Sequence, residues 1–119
     1  MEVATGKVIQ YEIPEGFRGI HQVFSPDGSF LVSDGGGEKE SGPNKYLSKL
    51  TFPTDGSRVL KGEHLASLQK NRYVIDGVKI EPNPHVSPDN RWVIFTATLH
   101  GTPQAYAVEL TSENQTGFH

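Results

Sequence analysis

The 119-residue chain has no cysteine. That absence excludes disulfides, thiolate metal sites and a cysteine nucleophile. Long apolar runs are missing too: none approaches the roughly 18 consecutive residues of a membrane span. The start, Met1-Glu2-Val3-Ala4-Thr5-Gly6, has neither the basic nor the apolar part of a signal peptide. A soluble, cytoplasmic protein is the expectation. Basic residues are few, 11 against 14 acidic ones for a net charge of −3, and they form no stripe. Nucleic acid and membrane are therefore not expected partners. What is plentiful is punctuation, with 13 Gly and 8 Pro beside a hydrophobic share of 34%. Such a chain cannot sustain long helices, and it suits short strands joined by turns around one modest core.

A repeat organises those strands. Phe24-Ser25-Pro26-Asp27-Gly28-Ser29-Phe30-Leu31-Val32 recurs as Val86-Ser87-Pro88-Asp89-Asn90-Arg91-Trp92-Val93-Ile94, displaced by 62 residues from Ser25 to Ser87. Each copy predicts a strand, a tight turn and a second strand. Proline presets φ in the turn, and Gly28 or Asn90 tolerates a positive φ. The second strands, 30–33 and 92–96, are nearly continuous apolar runs, as expected of strands buried between two neighbouring sheets. Third strands follow at 45–50 and 105–110, each alternating and each with Tyr in second place. Turns are expected at 54–57 and 112–115. Residues 3–11 predict the end of a third strand, a turn and a fourth strand over Val8–Tyr11.

The fold class these signals predict is all-β, with two four-stranded β-propeller blades. The division is a single propeller fragment over 1–119. Within it, 1–16 form a stray outer strand and linker, 17–80 the first blade, and 81–119 a three-stranded second blade with its tail. Gly35–Asn44 predicts an exposed loop, and the long 63–80 linker a short irregular or helical turn around 65–71. Two blades cannot close a ring, so a partial propeller completed by homo-oligomerisation is expected, three or four chains supplying six or eight blades. The competing reading is a two-sheet sandwich with a chance pair of Ser-Pro-Asp turns.

The repeats resemble those of TolB-type propellers. More narrowly, His21, Ser25, Asp27 and Gly28 leading to Val32-Ser33-Asp34-Gly35-Gly36 resemble the penultimate blade of oligogalacturonate lyases. Glu81-Pro82-Asn83-Pro84-His85 through Asp89, then Trp92–Phe95, Gly101, Pro103, Tyr106 and Val108, resemble their last blade. The resemblance covers most of 17–110, and the remaining blades, roughly five, have no counterpart here. It implies cytoplasmic, carbohydrate-active enzymes of pectin degradation. These polysaccharide lyases cleave short oligogalacturonates by β-elimination with a divalent metal, typically manganese. The metal spreads the charge that develops beside the uronate carboxylate while a base removes the α-proton.

By the resemblance, His21 matches a metal histidine. Asn83 is its repeat equivalent, and Glu81 falls on the same side of an extended segment. Glu81 and Asn83 stand where the best-known lyases have histidines, and Val78 stands where they have Gln. His21, Glu81 and Asn83 are thus the expected metal ligands, a nitrogen and oxygen set that suits manganese, magnesium or calcium better than zinc. Arg18 and His85 are expected substrate contacts, and the catalytic base is unassigned. Each residue also has a plainer reading: a hydrogen-bonded strand-start histidine for His21, a solvated carboxylate for Glu81, a turn residue for Asn83, a surface residue for Arg18. Asp27 and Asp89 are turn caps, and Asp34 caps the glycine loop. Trp92, Phe95, Tyr46 and Tyr106 are expected in the core, while His64, His100 and His119 follow no pattern. Two functions of different class remain: a relative of the metal-dependent lyases acting on an acidic oligosaccharide, or a non-catalytic module for assembly or ligand binding.

Overall fold

The computed structural model describes residues 6, 8–36 and 42–110. Among the described residues nine strands run in chain order: β1 Gln22–Phe24, β2 Phe30–Ser33, β3 Tyr46–Thr51, β4 Lys61–Ser67, β5 Val74–Ile75, β6 Val78–Lys79, β7 His85–Val86, β8 Trp92–Ala97 and β9 Gln104–Glu109. They form three antiparallel sheets, in the orders β1-β2-β3-β4, β5-β6 and β7-β8-β9. Among the described residues no helix is long and apolar enough to cross a membrane.

The two Ser-Pro-Asp turns are built alike. Ser25 Oγ donates to Asp27 Oδ1 at 2.9 Å, and the Ser29 and Phe30 amides donate to Asp27 Oδ1 and Ser25 Oγ. Ser87, Asp89, Arg91 and Trp92 repeat each of those bonds. Gly28 and Asn90 close the turns at φ 76° and 62°, a region where Asn is the least strained residue after Gly. The Asn90 amide also donates to Asp27 Oδ2 at 2.8 Å, tying one turn to the other.

The main core lies between the four-stranded and three-stranded sheets. Phe30 and Val32 of β2 and Leu47 of β3 meet Val93, Phe95 and Ala97 of β8, with Leu68 and Leu110 completing the layer. On the opposite face of the four-stranded sheet, Leu31, Leu50 and Leu60 lie under Tyr11, Phe17 and Phe52. The chain from Tyr11 to Gly19 is a strap across that face. It is held by the Glu12 amide on the Arg58 carbonyl (2.7 Å) and by His64 Nε2–H on the Gly16 carbonyl (3.0 Å). Phe17 lies flat where Gly62 has no side chain; a Cβ there would stand 2.7 Å from its ring.

The expected pair of propeller blades is not formed. The three sheets are separate, and none closes into a barrel or curls as a propeller blade. Three local features account for the difference. Val8–Tyr11 is not a strand, and the chain pairs there only through a parallel bridge from Glu12 to Val59. The linker expected to hold a helical turn instead extends β4 to Ser67 and then makes the β5–β6 hairpin. Asp76 and Gly77, at φ 51° and 80°, form its two-residue turn, and Asp-Gly at that position is a strong hairpin signal. Finally, Pro84 has no N–H to donate and Asn83 is left-handed at φ 42°, so β7 is cut to two residues where β1 has three. The expected turn at 112–115 lies outside the described residues.

Candidate functional site

The hairpin register brings a histidine to a buried carboxylate. Gln22 pairs with Ser33 and Val23 with Val32, so one step further out His21 stands opposite Asp34. The Asp34 carboxylate is buried and fully engaged. Its Oδ1 accepts from the Ile20 and His21 amides at 3.1 and 2.8 Å, and its Oδ2 accepts from His21 Nδ1–H at 2.8 Å. The side chains are 49% exposed for His21 and 4% for Asp34. The hydrogen bond and the charge of Asp34 both raise the His21 pKa above 6.5, and Glu81 adds a smaller push in the same direction. Burial works weakly against them. The Asp34 partner fixes which ring nitrogen is taken and leaves Nε2 as the one available to a ligand.

His21 lines a cleft of about 300 Å³ between β1 and β7, together with Gln22, Val23, Asn83, Pro84 and His85. The structure thus brings His21, Asn83 and His85 together and puts Glu81 near enough for its charge to reach His21. Arg18 lies elsewhere. It lines a separate cleft of about 240 Å³ with Ile13, Pro14 and Asn44, and its amide donates to Asn44 Oδ1 at 2.9 Å.

Among the described residues no group of three or more His, Cys, Asp or Glu stands together as metal ligands would. Both Asp34 oxygens accept from protein donors, and His21 Nδ1 is held by Asp34, which leaves Nε2 for a ligand. The left-handed turn at Asn83 breaks the extended alternation that was to align it with Glu81.

No protein-family model, no curated protein and no solved structure matches this chain.

Asp34 is the residue that sequence reasoning undervalued. A loop cap was expected; it is the buried partner of His21. The signal was present, because a tight turn over 25–30 already sets the register that carries 21 to 34. Gly19 and Ser33 were missed altogether. The strap crosses β2 at Gly19 so closely that a Cβ there would fall 1.5 Å from Ser33 Oγ, itself buried without a hydrogen-bond partner. Only glycine lets the strap pass there and deliver the Ile20 and His21 amides to Asp34.

Proposed function

We propose that this chain is a non-catalytic β module that binds a small carboxylate-bearing saccharide at the His21 cleft. The observation that carries the reading is the His21–Asp34 pair. With Nδ1 held by a buried carboxylate, the protonated imidazole offers Nε2–H beside Asn83 and His85. A ligand carboxylate accepts from such donors in charge-assisted hydrogen bonds. Asp34 cancels the imidazolium charge and Glu81 opposes an anion, so binding is weak. The saccharide class follows from the resemblance of residues 17–110 to enzymes of oligogalacturonate; recognition of the acidic sugar is the part of that chemistry these side chains retain.

Calorimetry with digalacturonate and with a neutral digalactoside tests the reading. The acidic sugar is expected to bind and the neutral one not, with affinity falling at least about tenfold between roughly pH 5.5 and pH 8 as His21 loses the Nε2 proton. His21→Ala should abolish binding. Glu81→Gln should tighten it, the reverse of what a metal ligand would do. Equal binding of the neutral sugar, or affinity that rises with pH, would sink the proposal. An unsaturated product absorbing in the ultraviolet would overturn its non-catalytic half.

A further inference from the structure

The free edge of the three-stranded sheet is β9, and the register of the sheet decides which of its groups are unpaired. The Thr96 amide and the Trp92 carbonyl point the other way, toward β7, where they meet the Pro82 carbonyl and the Ser87 amide. Leu110 donates to the Arg91 carbonyl at 2.6 Å, so Val93, Phe95 and Ala97 exchange their bonds with Val108, Tyr106 and Gln104. The N–H and C=O groups of Ala105, Ala107 and Glu109 therefore face away from β8. Among the described residues no backbone group meets them.

The repeat says what kind of partner such an edge takes. In the first copy β3, whose Tyr46 corresponds to Tyr106, receives the strand β4 along that side. Folded proteins protect an edge that is to stay single with short strands, bulges, proline or lysine. β1 and β7 are short, at three and two residues. β4 opens on Lys61 and bulges at Leu65, where Leu47 pairs with Ala66 and Ser48 with His64. β9 has six residues, none of them proline, glycine or lysine, and its pairing with β8 is unbroken from Glu109 to Gln104. Among the described residues it is the long edge without such a device.

The sequence of β9 matches itself when reversed. Antiparallel pairing about a two-fold axis through Ala107 sets that residue opposite its own copy, Ala105 opposite Glu109, Tyr106 opposite Val108 and Gln104 opposite Leu110. The outward-facing residues of the two strands then meet one another, so each unpaired ladder group finds a partner. No like charges are opposed, because Glu109 faces an alanine and keeps Arg91 at 2.7 Å. Tyr106 against Val108 is an aromatic and β-branched pair, a combination that stabilises neighbouring strands. We infer that β9 is a pairing edge on which two copies of this chain join antiparallel about Ala107, fusing their three-stranded sheets into one. A two-fold contact of this kind closes at the dimer. β9 is the far edge from β7, so the contact leaves the His21 cleft open.

Amide hydrogen exchange reads the contact residue by residue in the unaltered chain. Between about 10 μM and about 1 mM protein, the Ala105, Ala107 and Glu109 amides are expected to gain at least about tenfold protection. The gain should track a monomer–dimer transition in sedimentation equilibrium. Tyr106 and Val108, which bond to β8 in either state, should change far less. Ala107 is exposed, so a charge there leaves the fold intact and sets like charges across the axis. Ala107→Lys and Ala107→Glu, each alone, should weaken the dimer at least tenfold with an unchanged circular dichroism spectrum. Mixed in equal amounts they should dimerise again, because an axis through residue 107 places it opposite itself. A wild-type chain that stays monomeric at the top concentration overturns the inference, as does a dimer without the three protected amides. Growth beyond the dimer, single variants that dimerise as tightly as wild type, or a mixture that fails to recover overturns it equally.

Discussion

The two Ser-Pro-Asp copies share a turn and part company in what surrounds it. Ser25–Phe30 and Ser87–Trp92 make the same serine, aspartate and backbone bonds, and both pair their flanking strands in the same register. Yet all four residues of β2 are buried, whereas β8 alternates. β2 lies between a sheet on one side and the Tyr11–Gly19 strap on the other; among the described residues β8 has only the sheet. The strand sequences are nearly interchangeable in hydrophobicity, so their burial reflects their neighbours. An apolar run specifies a strand able to be buried twice, and the rest of the chain determines how many of its faces are covered.

The sharpest way to break that comparison is truncation at equivalent sites. Phe30→Ala opens a cavity in the main core and is expected to cost about 3–5 kcal/mol in chemical denaturation. Trp92→Ala, 62 residues on, should cost under about 1 kcal/mol at concentrations where the chain is monomeric. Equal losses would mean the two strands are not differently packed.

A smaller effect tests the strap that distinguishes the copies. Gly19→Ala forces a methyl group onto Ser33 Oγ, and a destabilisation of about 1–3 kcal/mol is expected. Ser33→Ala removes the nearest atom and should return part of that loss in the double variant. A Gly19→Ala protein as stable as wild type would show that the strap passes further from β2. Because the strap carries the Ile20 and His21 amides, the same substitution should also weaken the Asp34–His21 pair.

The smallest expected effect is electrostatic. His21 has a partner in Asp34, and its repeat equivalent, Asn83, carries no charge. With its pKa raised, His21 stabilises the fold fully below about pH 6.5, and that contribution is lost as pH rises through the folded value. Asp34→Asn should bring the His21 titration, read from ring proton shifts, down toward or below 6.5. At the acid end the sign reverses. The Ser29 amide and hydroxyl and the Ser25 hydroxyl pull Asp27 down to about 2, so its contribution holds above about 3.8 and fades as pH falls toward 2. Asp89 is lowered for the same kind of reason, first by Ser87 and then by the Arg91 amide. A His21 titration unchanged by Asp34→Asn would remove the basis for the cleft as an acidic-sugar site.

Much of the local structure was legible in the residues. Ser-Pro-Asp followed by Gly or Asn dictates its turn because the side-chain oxygens bond to amides two and five residues away, contacts that need no distant partner. The alternating runs at 45–50 and 105–110 likewise dictate strands, found within one residue of those bounds at 46–51 and 104–109, and the all-β class follows from them. The His21–Asp34 pair was implicit in the register that turn imposes. The sheet architecture was not legible, because it depends on residues without a period: Pro84 withholding a donor, Asn83 and Asp76 turning left-handed, Gly19 and Gly62 yielding room to the strap. Whether His21, Glu81 and Asn83 converge likewise depends on the backbone between them. Hydrogen bonds within a few residues are written in the order of the chain; which faces meet, which carboxylate is buried and which sheet stays bare are set by packing between segments far apart in it, and only the tertiary structure decided those.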